Sequence, residues 1–298
     1  MEEVGVTLKK ILLTGSTGFI GSNVLPVLQK NAMYEIKTPA RTDLNLKSER
    51  EVSSYLERER FDVVVHFANP TPAKNPVDLY ENLLEDSLRI FLNFYNHSDL
   101  FGKMIYTGSG AEYGKTRDLD LITEERCFSM IPEDPYGLGK YVMNRLACQS
   151  RNVFNFRIFA CFGPNDMESK FITHCIRSVL RNQTITIRKD CEFDYIHVFD
   201  FARYIEWGIN AELKHHDYNV TSGIATHLTD IARLVLEEMH SELGIRLLSD
   251  EHNTNYSANN RRIVEESGIR PMYSLREGIR MQIEWERAHW GKQGTDVM

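Results

Sequence analysis

No apolar run in this chain approaches the roughly 18 residues of a membrane-spanning helix, so none is expected. Neither sign of charge gathers into a long block. With 42 acidic against 35 basic residues the formal charge is −7, which speaks against a nucleic-acid tract or an anionic membrane surface as partner. An anionic ligand must therefore be met by local groups. Cysteine is scarce: Cys127, Cys148, Cys161, Cys175 and Cys191 are an odd number with no CxxC spacing, which argues against a disulfide framework and a zinc site. Reduced structural thiols and no metal are expected. The opening Met1-Glu2-Glu3-Val4 lacks the basic region of a signal peptide, and a cytoplasmic protein is expected. Internal repeats and low-complexity segments are absent as well.

What is present is an ordinary globular composition. With 298 residues, 42% hydrophobic and 26% charged, the chain can bury a large core as one domain with an appended lobe or as two domains. Lys10 to Thr14 is a short apolar run ending at a glycine, and Phe19 to Lys30 then carries apolar residues at helical spacing. Tyr34 to Pro39 and Phe61 to Ala68 read as strands, with Glu49 to Arg60 an amphipathic helix between them. Asp78 to Asn96 reads as a long helix, Lys103 to Thr107 as a strand, Tyr136 to Ser150 as a helix and Asn155 to Phe159 as a strand. This alternation predicts an α/β fold with a doubly wound parallel sheet over residues 1–165. From 166 to 298 the rhythm loosens. Helices are expected at Phe171 to Arg181 and Leu228 to Leu243, with short strands at Thr184 to Arg188 and Tyr218 to Val220. These suggest a smaller substrate-capping lobe, while segments near 194–220, including Tyr195 to Val198, are expected to return to the sheet.

The turn after the first strand reads Gly15-Ser16-Thr17-Gly18-Phe19-Ile20-Gly21. In GxxGxxG the first glycine permits the sharp exit from the strand, the next lets backbone approach a pyrophosphate, and the last lets helix pack on strand. The helix N-terminus then offers free N–H groups and partial positive charge to phosphate, so Gly15, Thr17, Gly18, Phe19, Ile20 and Gly21 are the expected dinucleotide contacts. Three glycines alone are also what any tight strand-to-helix turn uses; the flanking strand and helix favour the dinucleotide. After the second strand stands Pro39-Ala40-Arg41-Thr42-Asp43. An acid there would accept from a ribose 2′-hydroxyl and an arginine would face a 2′-phosphate. Arg41 lies nearer the strand end, so NADP(H) is favoured and NAD(H) stays open.

Ser109 follows the Lys103 to Thr107 strand and should project from its carboxyl edge, and Asp134-Pro135-Tyr136-Gly137-Leu138-Gly139-Lys140 opens a helix. Pro135 suits a first turn, which puts Tyr136 at the helix start and Lys140 on the same face. An ammonium one turn from a phenol favours the phenolate and makes Tyr136 a proton carrier near neutral pH. Tyr136 would protonate a carbonyl oxygen as hydride reaches its carbon, Ser109 would hold that oxygen, and Lys140 would stabilise the phenolate and bind the nicotinamide ribose.

With these residues together, the chain resembles the extended short-chain dehydrogenase/reductases of the nucleotide-sugar epimerase, dehydratase and reductase group. Gly15 to Gly21, His66-Phe67-Ala68, Tyr113-Gly114, Tyr136-x-x-x-Lys140, Arg157 to Pro164 and Asp194 to Val198 match the family's signposts in order. The resemblance implies a Rossmann fold, catalytic Ser109, Tyr136 and Lys140, and Ala68 lining the cofactor cleft. Arg41 to Leu46 and Asn82 to Ser87 are most similar to GDP-fucose synthase-like 4-keto sugar reductases. Where those enzymes carry an epimerising cysteine and histidine, this chain has Ala111 and Lys170, which favours simple 4-keto reduction. Two further departures, Ala160 in place of an asparagine and Phe193 in place of an arginine, affect sugar and nucleotide contacts. The implied partner is a nucleotide-diphosphate sugar, whose phosphates need cations. Lys170, Arg177, Arg188 and Arg261 are the candidates, although each alone reads equally as a solvated surface charge.

Three functions follow: NADPH-dependent reduction of a nucleotide-linked 4-keto-6-deoxy sugar, an NAD-dependent 4-epimerase, and a non-catalytic dinucleotide-binding redox sensor. An intact Ser109, Tyr136 and Lys140 set speaks against the sensor, which has no need of a proton donor. The family likeness further implies a homodimer through the helices carrying Leu83, Leu84, Leu88, Phe91 and Leu92 and Met143, Leu146 and Ala147; packing of both on the sheet is the alternative.

Overall fold

The computed structural model describes residues 8–70 and 82–291. Its elements follow in chain order. They are β1 (Lys9–Thr14), α1 (Phe19–Leu28), β2 (Tyr34–Lys37), α2 (Glu49–Glu59), β3 (Phe61–His66), α3 (Leu83–Tyr95), β4 (Phe101–Ser109), β5 (Leu119–Ile122), α4 (Pro135–Ala147) and β6 (Val153–Ile158). After these come β7 (Ala160–Phe162), α5 (Phe171–Leu180), β8 (Ile185–Ile187), β9 (Glu192–His197), α6 (Val198–Asn210), β10 (Asp217–Val220) and β11 (Ala225–His227). The last are α7 (Leu228–Glu238), β12 (Ile245–Leu247), β13 (Tyr256–Ala258), α8 (Arg261–Ser267) and α9 (Leu275–His289). Two compact units result. One combines the chain up to Gly114 with Glu124–Ile158 and Ala202–Asn219; the other combines Lys115–Thr123, Phe159–Phe201 and the chain from Val220.

In the first unit six strands lie in the order β10-β6-β4-β3-β1-β2, and the neighbours from β6 to β2 are parallel. The doubly wound sheet expected from the alternation is therefore present. Its interior strands are buried along almost their whole length, as in β6, because helices cover both faces of such a sheet. Leu12, Val64, Met104 and Val153 of the strands form one core with Val52, Leu56, Phe91, Phe94, Met143 and Ala147 of the helices. Strand order reverses direction at β1, and the crevice of such a sheet opens at the carboxyl ends there.

The second unit holds a five-stranded sheet in which β11-β9-β13-β5 are in line and β7 pairs with β9, together with the parallel pair β12-β8. Ile172, Cys175 and Ile176 of α5, Ile231 and Val235 of α7, and Ile279 and Ile283 of α9 close its core around Phe162 and Ile185. The two segments expected to rejoin the main sheet part company. Tyr218 and its neighbours form β10 beside β6, whereas Tyr195 lies in β9, where its ring meets Phe162 and Phe193 in the second sheet. Aromatic pairing on a half-covered sheet explains that placement.

Other boundaries moved for local reasons. The helix expected to run to Leu243 ends at Glu238: His240 takes φ +53°, and the amides of His240 and Ser241 close on the carbonyls of Glu237 and Leu236. That is a Schellman stop made without glycine. The helix expected from Asp78 is described from Leu83 onward; residues 78–81 lie outside the described residues. The helices α6 and α9 were not anticipated, although Ser274 and Glu277 form a capping box at the start of α9.

The turn between β1 and α1 is closely packed. Gly15 has φ +73°, and a methyl group there would lie 2.6 Å from the Ala68 nitrogen. One on Gly21 would lie 2.2 Å from the Gly15 carbonyl oxygen. Gly21→Ala should therefore force strand and helix apart and lower the free energy of unfolding by about 1–3 kcal/mol, measured by urea denaturation with an unchanged slope.

Candidate active site

Each part of the site is aimed by its local chain. Asp134 caps α4, its carboxylate accepting the Gly137 amide at 2.8 Å, and Pro135 occupies the first turn. Gly137 lets this helix end approach the turn after β4, since a methyl there would stand 2.7 Å from the Ala111 carbonyl oxygen. Tyr136 is thereby held against Ser109, whose side chain hydrogen-bonds the phenol. Ser109 itself begins a short helical turn over Gly110–Tyr113. Its Oγ accepts the Ala111 amide at 3.2 Å, which leaves the hydroxyl proton free to be donated. Lys140 lies one turn beyond Tyr136, is 4% exposed, and donates from Nζ to the Thr107 carbonyl at 2.7 Å.

Burial dominates the electrostatics. It pushes the Lys140 ammonium down to about 8, with the Glu112 carboxylate acting the other way. It also raises the Tyr136 phenol above its usual value; the Ser109 hydrogen bond pulls it back, and Glu112 and Asp134 raise it further. The phenol in this arrangement thus keeps its proton at neutral pH, and Ser109 is the group that opposes that most directly. The sequence reading gave that task to Lys140. His66, at the end of β3, is pushed down to about 3 by burial and by Lys140, and its Nδ1 meets the Thr14 hydroxyl at 2.9 Å. It is a neutral ring that ties β3 to β1.

Beneath Ser109 lies a set of residues that the sequence reading did not single out as functional. Glu112 and Arg157 are fully buried and paired at 2.7 Å. Arg157 also donates to Asp217 at 2.7 Å, to Tyr113 Oη at 3.0 Å and to Asn219 at 2.9 Å. Its Nη2 stands 3.2 Å from the sulfur of Cys127, a thiol that burial pushes up to about 12. The Ser109-x-x-Glu112 spacing of a capping box was the legible signal, and both of its hydrogen bonds are formed.

The expected dinucleotide residues share the β1 and β3 carboxyl edge. No side chain caps α1 at Gly18, and its first turn carries no acid. The start of α1, at Phe19, Ile20 and Gly21, thus carries no side-chain cap and no negative charge, and Thr17 is exposed beside it. Ala68 is partly buried, its amide 3.3 Å from the Thr14 hydroxyl. Asp43 turns inward on its own loop, accepting the Ala40 amide at 3.2 Å. Arg41 is exposed and has no ion pair among the described residues. In the second unit Arg177 is held by Glu168 and Glu286 at 3.0 and 2.9 Å, and Arg261 by Glu265 at 2.6 Å. Lys170, at the N-cap of α5, and Arg188 are exposed and form no salt bridge among the described residues.

A family model described as the NAD dependent epimerase/dehydratase family matches residues 11–221. The chain belongs to that family. Its members are NAD(P)-dependent enzymes, and its curated relatives act in nucleotide-sugar dehydratase, epimerase and reductase chemistry. One relative, a GDP-6-deoxy-D-talose 4-dehydrogenase from Aggregatibacter actinomycetemcomitans, is 27% identical over 80% of this chain and 82% of its own length. Among solved structures, a GDP-mannoheptose C4 reductase from Campylobacter jejuni with NADP bound superposes with TM-score 0.80 at 17% identity, over 94% of this chain and 98% of that one. A dTDP-glucose 4,6-dehydratase from Bacillus anthracis in complex with NAD superposes with TM-score 0.81, also at 17% identity, over 95% and 97%. The fold is thus shared by reductase and dehydratase alike. No described helix is long and apolar enough to cross a membrane, and no metal-holding cluster of His, Cys, Asp or Glu occurs among the described residues.

Ser109→Ala should raise the pH at which Tyr136 ionises, because it removes the hydrogen bond that favours the phenolate. Ultraviolet titration of tyrosinate checks this, with Ser109→Ala/Tyr136→Phe as the blank; an unmoved or lowered transition contradicts the assigned contact.

Proposed function

We propose that this protein reduces a nucleotide-linked 4-keto-6-deoxy sugar to a 6-deoxy sugar, with NADPH as reductant. The observation that carries the reading is the Tyr136 phenol, protonated and hydrogen-bonded to Ser109, with the Lys140 ammonium buried one turn away. When bound, the coenzyme supplies hydride to the carbonyl carbon. Ser109 donates a hydrogen bond to the carbonyl oxygen and holds it beside the phenol. Tyr136 gives that oxygen its proton as charge develops there, and Lys140 stabilises the phenolate left behind. Lys140 also binds the nicotinamide ribose, and Gly15, Thr17, Gly18, Phe19, Ile20 and Gly21 receive the pyrophosphate at the start of α1 beside Ala68.

Reduction without epimerisation is supported by Ala111. Its buried methyl group offers no acid or base where an epimerising enzyme of the resembling type carries cysteine. The curated relative named as a 4-dehydrogenase of a GDP-linked 6-deoxy sugar supports chemistry at C4. A coenzyme-oxidation screen across GDP-, dTDP-, CDP- and UDP-linked 4-ketosugars should find one series that consumes NADPH. Tyr136→Phe should lower that turnover by roughly 10²-fold or more and leave coenzyme affinity in place. Tightly held NAD with no net consumption would instead indicate a 4-epimerase, and wild-type turnover in Tyr136→Phe would defeat the assignment.

Arg41 supports NADPH over NADH, since an exposed guanidinium without a carboxylate partner can clamp a 2′-phosphate. Arg41→Ala should raise the KM for NADPH about tenfold and leave that for NADH nearly unchanged; equal effects on the two would reject the role. A sugar diphosphate is best met by Arg188 and Lys170, which form no salt bridge among the described residues although Asp166 lies within electrostatic reach of Lys170, ahead of the paired Arg177 and Arg261. A homodimer remains part of the proposal, on fewer residues than the sequence offered. Phe91, Met143 and Ala147 are buried in the sheet core and Leu88, Leu92 and Leu146 pack against it.

A further inference from the structure

We propose that Glu112 is a positioning residue of this centre: a buried carboxylate that fixes Ser109 through its main chain and presents a fixed negative charge to Lys140. The inference rests on the reductase reading above and extends it to a residue that touches neither substrate nor coenzyme. Glutamate is mostly exposed in folded proteins and almost never fully buried unless paired. This one is wholly buried. Its Oε1 accepts the Ser109 amide at 2.9 Å and its Oε2 accepts Arg157 Nε at 2.7 Å. Asn155 Nδ2 bridges both oxygens at 3.1 and 3.0 Å, and the Cys127 thiol lies at 3.8 Å. Gly108 is part of the same packing, because a methyl there would stand 2.4 Å from Oε1. The carboxylate is thus held by Arg157 and Asn155, and the Ser109 main chain is tied to it.

The simpler reading makes Glu112 only the counter-ion of Arg157. Arg157 is shared between Glu112 and Asp217, each at 2.7 Å, and pairing with it does not account for the bond from Glu112 to the Ser109 amide at 2.9 Å. Lys140 is a second cation on which the Glu112 charge acts. That ammonium donates to the Thr107 carbonyl of β4, acts electrostatically on His66 of β3, and is acted on by Glu112 from the turn after β4. Leu84 and Ser87 of α3 lie against the neighbouring Gly139. His66 is neutral, and Glu112 is the carboxylate that acts on Lys140. Its charge holds the Lys140 proton and opposes ionisation of Tyr136. Both effects have one sign: removing the charge moves both ionisations to lower pH.

The test compares Glu112→Gln, Glu112→Asp and Asp217→Asn with the wild type. Tyrosinate absorbance is titrated for each protein against its Tyr136→Phe counterpart, and kcat is followed against pH. Glu112→Gln should shift the Tyr136 ionisation and the high-pH limb of kcat downward together by about one pH unit, with coenzyme Kd changed less than about twofold. Glu112→Asp keeps the charge but draws it back by one methylene; its titration should stay in place while kcat falls about tenfold. Asp217→Asn weakens the same arginine cluster and should leave both titrations where they are. A folded Glu112→Gln with an unmoved Tyr136 titration overturns the proposal, as does Asp217→Asn moving it equally. Should Glu112→Gln fail to give a cooperative thermal transition, Glu112→Asp decides. Wild-type kcat then overturns the proposal, and a kcat loss with unmoved titration and unchanged coenzyme Kd upholds it. If the wild type oxidises coenzyme with no ketosugar, the reductase reading fails, while the tyrosinate titration still tests Glu112.

Discussion

Arg157 has no solvent-accessible surface, yet it carries a full charge into the centre of the first unit. Moving an ion of that size out of water costs several kcal/mol, and the cost is offset only if every donor finds a partner. Here it does: Nε meets Glu112, Nη1 meets Tyr113 and Asn219, and Nη2 meets Asp217 and the Cys127 sulfur. These partners come from the turn after β4, the segment before α4, and β10. One guanidinium therefore fixes the register of three stretches that are distant in sequence. The Tyr113 ring also stacks near it, 4.9 Å from centroid to guanidinium carbon, which adds a cation–π contact inside a desolvated site. Removing either carboxylate would leave a buried charge short of a partner, an error worth about 3–5 kcal/mol in comparable pairs.

The proton chemistry depends on that foundation. A buried lysine with no neighbouring carboxylate would lose its proton well below neutrality. Lys140 settles near 8 because two opposed effects, burial and the Glu112 charge, act on it at once. The phenol is tuned by a third group: Ser109, tied by its Oγ to the Ala111 amide and by its own amide to Glu112, hydrogen-bonds it. In hydride-transfer chemistry an acid must surrender its proton only as the oxygen gains charge. A phenol that stays protonated at rest and is hydrogen-bonded to a fixed hydroxyl meets that condition better than a resting phenolate.

Much of this was legible in the chain. The alternation of apolar runs and helical periods gave β1, α1, α2, β3 and β6 to within one or two residues, because fully buried parallel strands leave an unmistakable pattern. Gly15 and Gly21 were legible for the same steric reason that the structure imposes, and the Tyr136 to Lys140 spacing placed both side chains on one helix face. What stayed hidden was long-range. Nothing local tells that Glu112 and Arg157 meet 45 residues apart, or that Tyr195 pairs with aromatics of a second sheet while Tyr218 joins the first. Residues whose neighbours are set by topology carry no periodic signal, and short strands of three residues such as β7, β8 and β13 are below the length at which one could appear.

The same division explains why the chain states its chemistry more clearly than its substrate. Hydride and proton transfer need groups fixed relative to one another, and these come from adjacent stretches of one unit. Recognition of a sugar diphosphate needs cations that remain uncompensated after folding, and composition does not say which those are. Arg177 and Arg261 look like phosphate ligands in the sequence, but folding gives each a carboxylate at 3.0 Å or less. An arginine already paired must break that contact to bind phosphate, so its net contribution to affinity is small. Arg188 and Lys170 form no salt bridge among the described residues, though Lys170 acts on the buried Asp166 carboxyl. In a protein of net charge −7 the general field repels an anion, so a doubly charged diphosphate of the proposed kind would have to be met by cations that form no salt bridge in the fold.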